Sequence, residues 1–380
     1  MAVQAEQNDV VRIFLCGDVM LGRGVDQVLR DPCDPALHED YAGSALDYVA
    51  LAERAYGPIP RKVAGYYVWG AALDELTRTP VDLRIINLET SVTRSEDYEH
   101  KGINYRMSPE NADCLRAAHI DCCVLANNHV LDWGAAGLRE TLATLGRFAI
   151  KTAGAGLSDV EAAAPAVLPL AGGRRALVYA FASITSGIPR RWAATSERPG
   201  VNLLADLSRA TTDRIVDRIN RERDQDDIIV VSVHWGPNWG YDIDREQRDF
   251  AHALIDYARV CVIHGHSSHH AKCIEAYGTG LILYGCGDFI NDYEGISGYE
   301  RYRGDLSLMY LVNINPSTGA FVGLDLVPLQ IRQFRLVWAA EADVDWLQQT
   351  LDRESRQVGT RIVKSGSGRL SLQTESGRTA

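Results

Sequence analysis

Five apolar, strand-like runs in this chain each stop at a residue able to bind a metal ion. VRIFLCG runs into Asp18, VDLRIINL into Glu89, IDCCVLAN into Asn128 and His129, and DIIVVSV into His234. The fifth, ARVCVI, runs into His264, His266, His269 and His270. Runs apolar at nearly every position read as parallel strands buried on both faces. Open α/β sheets place their sites at the carboxyl ends of such strands. The five polar endings are therefore expected to meet along one edge, and oxygen and imidazole groups gathered there suit divalent metals.

Helical periodicity fills the gaps between the runs. Strands are expected at 11–17, 81–88, 120–126, 228–233, 259–263 and 280–285, with helices near 70–79 and at 109–119, 137–148, 207–224 and 246–258. Such alternation signals an α/β architecture. Two hairpins interrupt it, 166–170 with 174–184 and 306–314 with 320–328, joined through Gly- and Pro-containing turns. They predict two mixed sheets packed together with helices outside.

The stretch 31–66 lacks strand periodicity and reads as a long loop with a short helix, a form that often builds lids or substrate walls. In 343–357, Val344, Leu347 and Leu351 share one face of an amphipathic helix. The expected organisation is a tail at 1–10, one domain over 11–335, a strand and helix packed on it over 336–363, and a Ser-, Gly- and Thr-rich disordered tail at 364–380. No internal repeat is visible.

A length of 380 residues supplies a large core, and the net charge of −11 argues against a nucleic-acid backbone as partner. A small anionic substrate or an acidic polymer would then need local positive charge, from metal or from single arginines. The opening MAVQAEQNDV has no basic stretch followed by an apolar one, and no run reaches the roughly 18 apolar residues of a membrane span. Most of the eight cysteines sit in core-like runs and none forms a CxxC pair. These features lead to the expectation of a reduced, cytoplasmic protein without an anchor.

GDVMLGRGVD (17–26), INLETSVT (86–93), ANNHVLDWG (126–134), SVHWGPNWGY (232–241) and IHGHSSHH (263–270), followed by IEAYGTGLILYGCGDFIND (274–292), carry a family resemblance. In that order the blocks resemble the capsule poly-γ-glutamate synthesis family (CapA-like, PGA_cap), within the calcineurin-like metallophosphoesterase superfamily. The resemblance implies a four-layer α-β-β-α sandwich and two divalent ions, Mn, Zn or Fe. It implies that Asp18 and His269 hold the first ion, that Glu89 bridges, and that Asn128, His234 and His266 hold the second. It makes His129 the acid beside the leaving group. Two departures stand out: Met20 occupies the place of a ligating histidine, and the closing motif reads Gly265-His266-Ser267-Ser268-His269-His270. His264 or His270 is the candidate to rebuild the first site.

The chemistry can also be read from the residues themselves. A phosphoester hydrolase must stabilise charge on the non-bridging oxygens and make hydroxide available near neutral pH, which paired cations do. A carboxylate such as Glu89 bridges two ions, and imidazole favours Mn, Zn or Fe over Ca or Mg. Competing readings make Asp18 and Glu89 helix caps, Asn128-His129 a turn and His234 a core histidine. Around the centre, Arg23 and Arg106 are candidates to grip an anionic group, Asn87 to fix Glu89, and Asp132 and Trp133 to orient His129. Trp235 is a candidate wall, and Asp288 a further acid.

Three activities compete with phosphoester hydrolysis. The same metals polarise a carbonyl, which allows amide cleavage or acyl transfer. A metal-stabilised, non-catalytic subunit binding an acidic polymer is the second. A nucleotide-driven ligase is the third, but no GxxxxGK[ST] loop occurs, so ATP chemistry would fall to a partner.

Overall fold

The computed structural model describes residues 10–366 and 368–374; most of the tail expected at 1–10 lies outside them. Two large sheets form the centre. The first has ten strands, in spatial order Thr360–Lys364, Leu370–Thr374, Phe321–Arg332, Leu306–Ile314, Val11–Val19, Leu83–Leu88, Cys122–Val124 and Lys151–Ala153. Asp288–Ile290 joins it beside Val11–Val19, and Arg335–Trp338 beside Phe321–Arg332. From Val11–Val19 to Lys151–Ala153 the pairing is parallel, and on the other side antiparallel. The second sheet has seven strands, with Leu203–Leu204, Arg175–Ser183, Ile228–His234, Val262–His266 and Gly280–Leu283 in parallel order. Antiparallel strands Ile274–Tyr277 and Ala166–Pro169 complete it.

Side-chain alternation shows why the runs are apolar throughout. Along Ile228–His234, Ile228 and Val230 face the core shared with the first sheet, whereas Ile229, Val231 and Val233 join a second cluster with Ile215, Ile219, Phe250 and Leu254. Those last four come from helices Arg209–Glu222 and Arg245–Ala258, which cover the outer face. Both faces of Ile228–His234 are thus buried, which favours apolar side chains along most of its length. Helices Ala71–Arg78 and Gly134–Arg147 contribute Leu76, Leu138 and Leu145 to the core of the first sheet. The layers are α-β-β-α, as expected.

Two expected elements shift. The helix at 109–119 is a 3-10 turn, Pro109–Ala112, followed by one α-turn, Asp113–Ala117. The strand expected at 259–263 is Val262–His266, because the preceding helix ends on Arg259 at φ 55°. His264 and His266 therefore lie inside the strand. The stretch 31–66 holds a helix, Ala45–Tyr56, started by a Ser44 and Asp47 capping box. The C-terminal helix is Glu341–Ser355.

The disordered tail expected from 364 is corrected by the structure. Leu370–Thr374 is a strand between Thr360–Lys364 and Phe321–Arg332, with Leu370 fully buried opposite Leu326. Alternating Leu370 and Leu372 carry too little apolar content to be noticed among Ser and Gly, yet an open sheet edge gives them backbone partners. Residues 375–380 lie outside the described ones. Among the described residues, no helix is long and apolar enough to cross a membrane.

Leu370→Ala is expected to destabilise the protein by about 2–4 kcal/mol, as for other buried leucines. A urea midpoint equal to that of the natural protein would contradict the role of this strand.

Candidate metal centre

Asp18 owes its position to a close contact of backbones. A Cβ on Gly17 would lie 1.8 Å from the carbonyl oxygen of Gly287, so only glycine fits there. The same approach lets the Asp18 amide donate to that oxygen at 2.9 Å and breaks the register of Val11–Val19 against Leu83–Leu88. The Asp18 carboxylate then reaches across to the second sheet, where His234 and His266 are register partners on neighbouring strands. One ligand atom from each of Asp18, His234 and His266 lies within 4.8 Å of the others, and all three residues are buried.

Glu89 and Asn128 border this group. Glu89 Oε1 is 3.9 Å from His234 Nε2 and 3.8 Å from His129 Nε2. Asn128 Oδ1 is 3.1 Å from His234 Nε2. His234 Nδ1 and His266 Nδ1 are 2.9 Å apart, and Ser232 Oγ holds His266 Nε2 at 2.6 Å. The carboxylates are braced from behind. Asn87 Nδ2 donates to Asp18 Oδ1 at 2.8 Å and to Glu89 Oε2 at 3.3 Å, and the Ser267 amide donates to Asp18 Oδ2 at 3.2 Å. Asn127 in turn donates to Asn87 Oδ1 and the Leu88 carbonyl.

Beside them His129 forms a relay. Its Nδ1 lies 2.6 Å from Asp132 Oδ2, and Lys101 Nζ donates to Asp132 Oδ1 at 2.7 Å and to the carbonyl of Asn128. The Tyr105 amide also donates to Asp132 Oδ2. An ionised Asp132 accepts only, so the ring proton belongs on Nδ1 and Nε2 is left toward Glu89.

The electrostatics show what the site lacks. Burial, and then the charge of Asp288, push the Asp18 carboxyl up to about 7. Burial, followed by Asp18, raises Glu89. Burial and neighbouring imidazoles lower His234 and His266, and burial, then Lys101, pushes His129 down to about 4. Two desolvated carboxyls that hold their protons tightly beside neutral imidazoles would give them up to a bound divalent cation. The oxygen and nitrogen donors fit Mn, Zn or Fe.

The family description bacterial capsule synthesis protein PGA_cap matches residues 12–293. The chain belongs to that family. It is 44% identical over 357 residues to a probable polyglutamine synthesis accessory protein of Mycobacterium tuberculosis, covering 93% of this chain and 94% of the relative. It is 27% identical to the PGA biosynthesis protein CapA of Bacillus subtilis, covering 98% and 85% respectively. A solved phosphatase of Mycoplasma pneumoniae aligns with a TM-score of 0.45 at 10% identity, covering 85% of this chain and 95% of that one.

Several residues expected at the PGA_cap site lie elsewhere or work differently. His269 is outside the three-residue group: its Nδ1 is 2.9 Å from Asp288 Oδ1 and its Nε2 3.0 Å from Asn238 Nδ2. Burial alone would lower His269, but Asp288 outweighs it and the imidazole is raised. Asp288 is the register neighbour of Asp18 and also accepts from Asn291. Neither candidate for rebuilding the first site does so. His264 bonds the Cys16 carbonyl at 2.7 Å and Ser232, tying the two sheets together. His270 accepts from the Gly240 amide and stacks on Tyr302. Met20 is buried with its Sδ 3.7 Å from Tyr293 Oη.

The expected anion grips are already engaged. Arg23 is buried, paired with Asp292 at 2.6 Å and Glu39 at 3.1 Å. Arg106 pairs with Glu96 and the Ser95 carbonyl and lies 3.9 Å over the Trp133 ring. A desolvated guanidinium requires such partners. Trp133 donates to the Tyr105 carbonyl and Trp235 to the Tyr284 carbonyl, both buried. Trp235 packs with Phe250 in the outer core rather than walling the site. Asn87 is fully buried and positions carboxylates. Sequence reasoning missed Lys101, Asn127, Ser232 and Asn238. Asn127, Ser232 and Asn238 lie inside motifs already noticed, whereas Lys101 sits in a charged loop with no distinguishing pattern.

Protein equilibrated with Mn²⁺ is expected to retain ion that Asp18→Ala and His266→Ala each lose, as read by elemental analysis. A pH test follows from Asp18. Its folded carboxyl keeps a proton to about 7, whereas the unfolded one releases it near about 3.9. Between those values the native state binds more protons, so this residue's contribution to stability falls as pH rises. In chelator, the urea midpoint of the natural protein should therefore fall relative to Asp18→Asn between pH 5 and 8. A constant difference would contradict the burial argument.

Proposed function

We propose that this PGA_cap protein is a metal-dependent hydrolase acting on a phosphoester. The observation carrying the reading is the convergence of Asp18, His234 and His266 within 4.8 Å, beside Glu89 and the His129–Asp132 pair. Asp18, Glu89, Asn128, His234 and His266 would hold the divalent metal. When bound, the metal supplies charge stabilisation at the phosphoryl oxygens and lowers the pKa of water.

The chain's own groups do the rest. Asp132, held by Lys101 and the Tyr105 amide, fixes the His129 ring and its tautomer. His129 Nε2 is the atom that takes or passes a proton next to the leaving oxygen. Burial and Lys101 favour the neutral ring, and an anionic ester in the site would raise its basicity. Asn87 and the Ser267 amide keep the carboxylate oxygens in place, and the shared core around them excludes bulk water.

A second reading is favoured by the names of the relatives, a polyglutamine synthesis accessory protein and a PGA biosynthesis protein. In it the same centre handles the amide of an acidic polymer, or binds that polymer without turnover, with ATP chemistry on a partner. Screening phosphoesters and γ-glutamyl amides in parallel with Mn²⁺, Zn²⁺ or Fe²⁺ separates the readings. Turnover of amides alone would select the second, and no metal-dependent turnover at all would sink the hydrolase.

His129→Ala is expected to slow turnover by about 10²–10⁴-fold with metal content nearly intact. Glu89→Ala should lower both. Equal metal loss in the two variants would make His129 a ligand instead.

A further inference from the structure

A cleft of about 760 Å³ opens beside the candidate centre, with His269, Asn238 and Tyr293 on its inner wall. Its outer walls come from two segments. Tyr41, Tyr48 and Tyr56 belong to the long excursion at 31–66, and Ile296 and Tyr299 to the loop after Asp292. Tyr41 is 66% exposed, Tyr299 50% and Ile296 47%, so three large apolar or aromatic side chains gather around one concavity. Such grouped exposure marks a binding surface. Tyr299 stacks one face on Trp239 at 4.2 Å, its only ring partner among the described residues.

The charges of the cleft exclude one kind of occupant. Its two lining arginines are each engaged by two carboxylates, Arg23 by Asp292 and Glu39, Arg303 by Asp305 and Asp343. Glu294, Glu300 and Asp305 also line it. A polymer with a carboxylate on every unit would meet these acids, while both arginines lining the cleft are already paired. A flat, neutral ring would meet aromatic faces.

We propose that this cleft binds a planar, uncharged ring carried by the substrate, with the anionic ester of the same molecule directed toward Asp18, His234 and His266. The assignment rests on the hydrolase reading and narrows its substrate to small esters bearing such a ring, a nucleoside monophosphate being a suitable probe. Excluded are polyanionic chains.

Calorimetry on the Mn²⁺-equilibrated full chain tests it with AMP, UMP, ribose 5-phosphate, adenosine, uridine and tri-γ-glutamate. AMP or UMP should bind about tenfold or more tighter than ribose 5-phosphate, which shares the phosphate and lacks the base. Adenosine or uridine alone should bind measurably. Tyr299→Ala and Tyr41→Ala, both at exposed positions, should erase the preference for the base while metal content stays the same. Equal binding of the three phosphates, with no nucleoside binding, would overturn the cleft assignment and leave the hydrolase reading standing. Tyr299-dependent nucleoside binding without binding or turnover of any phosphate would support the cleft and sink the hydrolase. Tighter binding of tri-γ-glutamate than of AMP would overturn the proposal.

Discussion

Two carboxylates that repel each other without water, Asp18 and Glu89, govern the organisation of this molecule. Each is buried; burial and then Asp288 raise the proton affinity of Asp18, and burial and then Asp18 raise that of Glu89. Such a pair is costly in a bare fold, because desolvation penalises both charges and their Coulomb repulsion adds to it. The surrounding structure answers with donors. Asn87 touches both carboxylates, and Asn127 and Ser267 hold Asn87 and Asp18 in turn. The cost is tolerable where a bound cation would supply the missing positive charge.

That requirement explains how the sheets meet. His264 spans the interface to the Cys16 carbonyl two residues before Asp18, while Ser232 touches both His264 and His266. The alternation that places Val230 in the shared core also places Ser232 and His234 on the same inner face. The centre therefore lies on the seam between layers, where small shifts of one sheet against the other would separate Asp18 from His234 and His266. Gly17 and Gly287, pressed backbone to backbone, fix that seam.

Strand-end residues were legible in the sequence because burial on both faces favours apolar side chains along a strand, so that polar groups stand out at its end. Asp18, Glu89, Asn128, His129, His234 and His266 all followed from that rule, and so did the layered fold. What the sequence hid were contacts made by long side chains across loops. Arg23 and Arg106 looked like anion grips because a lone arginine gives no sign of its partner, and Glu39 and Asp292 lie far away in the chain. Trp235 looked like a wall because it follows a ligand, yet strand geometry turns consecutive residues to opposite faces. His264 and His270 are candidates to rebuild the first site by proximity alone; His264 shares the inner face with His266 but is taken by the Cys16 carbonyl, and His270 follows the turn at Ser267, φ 97°. The strand Leu370–Thr374 was missed because it depends on an edge built elsewhere.

The first-metal side raises a different question. Met20 cannot donate as imidazole does to a hard or borderline ion, since a thioether is soft, and here its sulfur faces Tyr293. Close by, Asp288 grips His269 through Nδ1, the arrangement in which a carboxylate orients an imidazole whose other nitrogen ligates. In this chain that other nitrogen is met by the amide of Asn238, on the loop that also carries Trp239. The asymmetry thus separates a group assembled from strand ends, Asp18, His234 and His266, from the His269–Asp288 pair, whose other imidazole nitrogen faces a loop bordering the aromatic cleft. The pair and that cleft meet at Asn238, which bonds His269 and lines the cleft.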